Sequence, residues 1–461
     1  MSNSNSNSNN YMSNYYGIYT SNITNLLNKN ISSHQDRFKL CNLIGDDKCY
    51  KVLEIIRDFI KTKKRIIYGG MAINTTLPDN EKIYSGENYD FDIYSSSPKR
   101  DIVELVNILN KQDIPYISAM ESFHPGVYKL FIYFIPILDI TYLPNNIIQS
   151  IPVFKNDGYI YPEPQFLKND ILLSLTNNIF SSYRWEKDYS RYILLNNYYP
   201  YERPSGFICE RNSSQINYKI KQILEILKKW EKNENENENK EGDCIITLSY
   251  AYLLYRKECE LIDLFSLSSP YVVIYHNNPE LIIEYLINNI SKNSIITTKR
   301  YEPFLRYFPK SVDVYWDDDK TPCMRIYNST GLCIPYHILQ NVKVVSLGKL
   351  LLDIKVSEFI AKIQTDDKQQ KFYQCMAYET DRMNRTTIEN KKINYSSIFS
   401  LISNKCEGIQ SEEGFLIQDK QYNKVMTRFD YSPSKGNKFK YLEPNKVGSG
   451  SVQGIEAKLC R

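Results

Sequence analysis

Between Asp47 and Tyr161 the spacing of apolar residues changes period several times. Val52, Ile55, Ile56, Phe59 and Ile60 recur every three or four positions and predict a helix. Arg65 to Tyr68 reads as a short strand, and Gly69-Gly70 breaks it. A strand follows around Tyr89 to Tyr94, then a helix whose Ile102, Leu105, Val106 and Leu109 form one apolar stripe. Strand-rich sequence runs through Tyr116 to Ser122, Val127 to Ile135 and Ile137 to Tyr142, with Pro136 as a break or edge. The spacing turns helical again over Pro164 to Phe180, Trp185 to Leu195 and Ile216 to Trp230. Farther on, Tyr271 to Tyr275, Ser311 to Trp316 and Met324 to Tyr327 read as strands and Glu358 to Asn384 mostly as helix, so the second half repeats the α+β character of the first. Ser311-Val312-Asp313-Val314-Tyr315 echoes Tyr89 to Tyr94 but keeps a single acid, a match that chance explains equally well.

At 461 residues the chain exceeds the size of one usual hydrophobic core, which favours two domains. Three polar stretches punctuate it: the Ser-Asn repeat at 1–10, the Asn-Glu repeat at 232–240 and a Lys/Gly/Ser-rich tail from about Ser432, none able to bury a core. A net charge of +4 neither demands nor excludes a polyanionic partner. The 10 cysteines include no Cys-x-x-Cys pair, so no zinc site is signalled; with no secretory signal at the start, free thiols are expected. The longest apolar run, Leu130 to Leu138, is too short for a membrane span.

In Asp90-Phe91-Asp92 the strand period puts both carboxylates on one face, with Phe91 and Ile93 on the other. Two like charges about 4 Å apart cost roughly 4 kcal/mol at an effective dielectric of 20, so a divalent cation or a raised pKa must offset the repulsion. Asp139 is isolated in the apolar run Ile137-Leu138-Asp139-Ile140, where an unpaired charge is costly. Each piece has a plain alternative: Asp-x-Asp is common on exposed strands, and a strand-end Asp often accepts backbone hydrogen bonds. Gly69-Gly70, placed before Met71-Ala72-Ile73-Asn74, lets backbone pass close to a phosphate and opens a helix N-terminus toward it. The ordering of strand, Gly-Gly, helix, Asp-x-Asp strand and later strand Asp is rarer than any of its parts.

That ordering resembles the polymerase-beta-like nucleotidyltransferase superfamily. YGGMAINTTLP, NYDFDIYS, ILDITYLP and YRWEKDYSR, between about Lys64 and Arg191, are similar to the poly(A) polymerase catalytic subunits of large cytoplasmic DNA viruses, although positions 71–89 make a longer insert than the superfamily usually has. The resemblance implies an α+β nucleotidyltransferase domain over 34–195 after a mostly disordered 1–33. A second α+β domain over 196–431, built like a degenerate nucleotidyltransferase with a disordered insert near 232–241, is to be followed by a flexible basic tail at 432–461. It implies addition of AMP from ATP to RNA 3' ends with two Mg²⁺ or Mn²⁺ ions. Asp90, Asp92 and Asp139 would be the catalytic metal ligands, and Gly69, Gly70, Asn74, Arg184, Lys187 and Arg191 the nucleotide contacts. Lys187 leads the cationic stripe, whose alternative is a solvated helix face.

Ser122 to Gly126 reads as a hairpin turn rather than a catalytic unit around His124, because the superfamily activates its nucleophile with metal. Tyr159, Tyr161, Tyr183, Tyr198 and Tyr199 are candidates for stacking on bases. Also implied are RNA as partner, a homodimer or processivity partner, no membrane, and an intracellular location in the viral factory of the host cytoplasm, with packaging into the virion. The competing readings are a CCA-adding or oligoadenylate-type enzyme on the same fold, and a non-catalytic RNA-binding subunit.

Overall fold

The computed structural model describes residues 40–84, 90–122, 126–177, 181–207, 218–236, 243–259, 271–290, 294–317, 319–389, 398–408 and 429–433. The chain divides into two compact units that exchange segments: residues up to 168, 184–199 and from 427 onward make the first, and 169–183 and 200–426 the second.

The first unit begins with α1 (Asp46–Lys63), whose Val52, Ile56, Phe59 and Ile60 are buried as the spacing predicts, with Leu53 buried in place of half-buried Ile55. Lys64 closes it in the left-handed region at φ 52°. The chain continues through β1 (Ile66–Tyr68), α2 (Gly69–Thr76), β2 (Phe91–Ser95), α3 (Pro98–Asn110), β3 (Ile117–Glu121), β4 (Val127–Ile132), β5 (Ile135–Tyr142), α4 (Asn145–Ser150), β6 (Val153–Asn156) and β7 (Tyr159–Pro162). Then come α5 (Pro164–Leu175), inside which the unit boundary falls, and α6 (Trp185–Tyr198). A last strand, β16 (Asp430–Tyr431), returns to this unit, giving an eight-stranded mixed sheet in the order β16-β3-β4-β5-β2-β1-β7-β6. Phe429 meets Tyr128 edge-on at 5.5 Å between ring centroids, and the Tyr431 hydroxyl donates to Asn107 at 2.6 Å.

The second unit holds α7 (Tyr218–Glu236), β8 (Ile245–Thr247), α8 (Leu248–Glu258), β9 (Val272–His276), α9 (Pro279–Asn289), β10 (Ile296–Tyr301), β11 (Ser311–Trp316) and β12 (Met324–Asn328). It ends with β13 (Ile334–Leu339), β14 (Val342–Val345), α10 (Leu347–Ile363), α11 (Asp367–Glu389) and β15 (Cys406–Glu407). Its sheet order is β10-β11-β12-β9-β8-β14-β13-β15. Apart from the end strands β16 and β15, the two sheets share one topology: β1 pairs antiparallel with β2 as β8 does with β9, and the parallel pairs β2·β5 and β1·β7 recur as β9·β12 and β8·β14. The fold is α+β, and the second unit repeats the sheet topology of the first.

Several boundaries differ from the sequence expectation. The strand expected to run from Val127 to Ile135 turns after Ile132 through Tyr133 and Phe134, both at positive φ (51° and 65°), a two-residue hairpin that neither side chain advertises. Pro136 stays within β5, facing Phe131 next to a register shift. The stretch from Glu358 to Asn384, expected as mostly helix, is the end of one helix and the body of another, separated at residues 364–366. Helix α7 continues into the Asn-Glu repeat as far as Glu236, where a mobile stretch was expected. The echo at Ser311 also changes meaning, because β11 holds the sheet position of β4 and not that of the Asp-x-Asp strand.

The thiols depart from expectation too. Cys41 and Cys49 pair across the turn at Gly45, with Cα atoms 5.1 Å apart, and Cys333 pairs with Cys406 at 5.3 Å where β15 joins β13. The Cys323 thiol stays unoxidised and donates to Val314 O at 3.3 Å. Among the described residues no helix is long and apolar enough to cross a membrane.

Candidate nucleotide-transfer site

Strand β1 is only three residues long, and its last residue, Tyr68, faces Asp92 on β2. Asp92 is in turn the register partner of Asp139 on parallel β5, and Asp139 faces Lys129 on β4. Cross-strand partners project to the same side of a sheet, so Tyr68, Asp92, Asp139 and Lys129 form one row across four strands. Lys129 Nζ donates to Asp139 Oδ2. Asp90, expected on the strand beside Asp92, lies exposed just before it, because β1 has run out of residues to pair with it. It still acts on Asp92. Burial first, then the charges of Asp139 and Asp90, push the Asp92 carboxyl up to about 7, while Lys129 and Arg184 pull it down.

Gly69 adopts φ +68° as the first residue of α2, directly after extended Tyr68. A β-carbon there would run into the Asp92 carboxylate, and one at Gly70 would meet the Tyr84 hydroxyl. Only glycine combines this left-handed angle with so close an approach. The glycines therefore begin the helix rather than form a turn ahead of it, and they bring its first N–H groups beside the acids.

The cations converge on the same place. Lys187 is half-buried, and burial together with the charges of Arg191 and Arg184 lowers its ammonium to about 8, against the upward pull of Asp188 and Asp92. Arg184 precedes α6 in a short 3-10 turn and lies 3.6 Å from Asp188. Arg191 is 6% exposed; its Nη2 donates to the Tyr84 hydroxyl at 2.5 Å, and its buried Nε has no hydrogen-bond partner among the described residues. Asn74 is buried, and its Oδ1 accepts the Tyr84 backbone N–H at 3.0 Å, so this amide fastens the loop after α2.

Sequence reasoning missed Lys129 and Tyr84. Lys129 is one polar residue in an otherwise apolar strand, and only the hairpin register places it opposite Asp139. Of the tyrosines singled out for stacking, Tyr159 and Tyr161 are buried in β7, Tyr199 donates to Thr76 O at 2.6 Å, and Tyr183 and Tyr198 are exposed. Residues 123–125 of the expected hairpin turn, with His124, lie outside the described residues; Ser122 and Gly126 flank the β3–β4 connection.

The donor set suits a hard divalent cation, since the acids offer oxygen alone. Among the described residues no group of three or more His, Cys, Asp or Glu side chains is placed to hold a metal ion by itself. An ion that binds through one or two carboxylates together with substrate phosphates does not need one. The crowded charge on Asp92 and the orphaned Arg191 Nε fit a cation and an anion arriving together.

Residues 54–181 match the family model described as the poly(A) polymerase catalytic subunit. A protein of Acanthamoeba polyphaga mimivirus named as a candidate poly(A) polymerase catalytic subunit is 27% identical over 64% of this chain and 52% of its own length. One from a Kenyan isolate of African swine fever virus, named in the same way, is 32% identical over 32% of this chain and 33% of its own length. The chain thus spans about half, or a third, of these curated relatives. The crystal structure of the Megavirus polyadenylate synthase superposes with a TM-score of 0.70 at 21% identity, covering 89% of this chain and 83% of that one. Through residues 54–181 this chain is similar to the poly(A) polymerase catalytic subunits, and over most of its length it has the fold of a viral polyadenylate synthase.

Proposed function

We propose that this chain is a template-independent polynucleotide adenylyltransferase that transfers AMP from ATP to the 3' end of RNA. One observation carries the reading: Asp92 and Asp139 stand side by side on neighbouring parallel strands, with Asp90 near enough to raise Asp92 and the backbone of Gly69 against its carboxylate. The names of the relatives support the choice of adenylate and of RNA.

In the reaction the RNA 3'-oxygen attacks the α-phosphorus of ATP, a phosphodiester forms, and pyrophosphate leaves. Asp90, Asp92 and Asp139 would hold two Mg²⁺ or Mn²⁺ ions, which when bound neutralise the phosphates and lower the pKa of the attacking hydroxyl. Gly69 and Gly70 present free N–H groups at the start of α2 to the triphosphate. Arg184, Lys187 and Arg191 take the charge of the β- and γ-phosphates, and the unpaired Arg191 Nε is a donor waiting for such an oxygen. Lys129 balances part of the negative charge on Asp139. The second unit keeps the topology without the acids, so in this reading it serves RNA or a partner, either a second copy of the chain or a processivity subunit.

Incubation of the purified protein with a short RNA, Mg²⁺ or Mn²⁺ and each nucleoside triphosphate in turn tests the proposal. Long ATP-specific tails that vanish when Asp90→Ala and Asp92→Ala are combined are expected. Products that stop after a few additions point instead to a CCA-adding or oligoadenylate-type enzyme, and tailing that survives the double substitution removes the assigned site.

A further inference from the structure

Met71, Asn74 and Thr75 share one face of α2 and line a cavity of about 610 Å³ within the first unit. None of the three carboxylates borders it. Its size lies in the usual range for small-molecule sites.

The rest of its wall is cationic and aromatic. Arg57 and Lys61, one helical turn apart on α1, contribute together with Lys82, against a single acid, Asp157. Lys61 Nζ lies 4.4 Å from the centroid of the Tyr159 ring, and Lys82 makes a long 3.8 Å pair with exposed Asp79. Tyr84 is fixed at both ends, its N–H on Asn74 and its hydroxyl on Arg191, so its ring is a rigid wall. Three cations to one acid disfavour a metal ion, and the charged rim disfavours a purely apolar ligand. Ammonium and guanidinium groups beside tyrosine rings match a phosphate joined to a flat base.

We propose that this cavity is a second nucleotide site, which holds a phosphate on Arg57, Lys61 and Lys82 and a base against Tyr84. Its occupant is distinct from the nucleotide at the carboxylates, being either a nucleotide within the RNA strand or a free mononucleotide. Because the Tyr84 hydroxyl is bonded to Arg191, a filled cavity also steadies one of the cations facing the acids.

Binding measured in EDTA on the full chain tests the proposal without any transfer chemistry, so it stands or falls separately from the proposed activity. The probes are a fluorescent oligoadenylate and labelled AMP, and the variants are Lys61→Glu and Lys82→Glu, both at exposed positions and therefore expected to keep the wild-type melting temperature. Each charge reversal is expected to weaken one probe about tenfold or more. Loss confined to oligoadenylate assigns the cavity to the RNA strand, and loss confined to AMP assigns it to a free nucleotide. Lys61→Arg should restore binding in either case. Wild-type affinity of both folded variants for both probes overturns the proposal.

Discussion

The same row of the sheet carries a net negative charge in one half of the molecule and a balanced pair in the other. In the first it runs Tyr68, Asp92, Asp139, Lys129; in the second, by the same pairings, Thr247, Val273, Arg325, Asp313. Valine replaces the crowded acid, and the acid and base of the outer pair have changed places. Arg325 grips buried Asp313 through two hydrogen bonds of 2.5 and 2.8 Å, a closed pair that leaves no carboxylate for a cation. The backbone bend survives this exchange. Leu248 stands where Gly69 does, after an equally extended residue, at φ +54°. The bend is therefore a property of the architecture, whereas glycine at the bend is a requirement of the carboxylate beside it.

Substitutions can break this contrast, and the largest effect is expected at Asp92. In the proposed reaction Asp92→Asn removes a charge that the transition state would rely on, and it should slow AMP incorporation on the order of 10³-fold or more, since several kcal/mol are at stake and each 1.36 kcal/mol is tenfold. Arg325→Gln, at the matching position of Asp139 in the other sheet, should lower the melting temperature yet leave the rate per folded molecule unchanged. Single-turnover extension of a labelled primer reads both.

Next comes the buried network beneath the second sheet. Lys349 Nζ donates to Asp353 and to the Tyr275 hydroxyl, while Thr247 and Tyr275 also donate to Asp353. Lys349→Met strands a buried carboxylate and should cost about 3 to 5 kcal/mol in denaturant titration. The sign with pH follows from Asp353, which burial already raises and which Lys349 holds down. Without Lys349 it rises further, so its contribution is fully present below the unfolded value of 3.8 and is lost as pH climbs through the folded value. The deficit of the variant should therefore shrink on going from pH 8 to pH 5.

A smaller effect is expected at the two bends. Gly69→Ala takes on left-handed strain of roughly 1 to 2 kcal/mol and a clash with Asp92, and should reduce incorporation about tenfold to a hundredfold. Leu248→Gly relieves similar strain but removes a side chain that is 2% exposed, a loss of about 2 to 5 kcal/mol, so the second unit should be destabilised on balance. The least effect comes from pH. The Lys187 ammonium is lowered to about 8, so in the proposed reading its attraction for triphosphate is complete below that pH and fades above it. KM for ATP should rise by no more than about tenfold per pH unit beyond 8, and Lys187→Met should show a raised, flat profile in that range.

Much of this was legible in the sequence wherever the signal is local. The apolar stripes of α1 and α3, the short strand before Gly69-Gly70 and the isolation of Asp139 in an apolar run all lie within a few residues. What escaped depends on register. Lys129 faces Asp139 because of a Tyr133-Phe134 turn that composition does not announce, and Asp313 misled because a single acid in a β-like run does not say which strand of the sheet carries it. Leu248 conceals the second bend, since no pattern rule expects a buried leucine at positive φ. Tyr84 gains its place through Asn74 and through Arg191, 107 positions away.

Strand β16 has a consequence for how the molecule is made. The edge of the first sheet at β3 is covered by Asp430 and Tyr431, which leave the ribosome after nearly all of the second unit. Until then β3 presents unpaired backbone groups and Phe429 is missing from its place on Tyr128. The half that holds the acids is thus the first to be synthesised and the last to be completed, and a protein cut short before residue 430 carries an open, adhesive edge on that side.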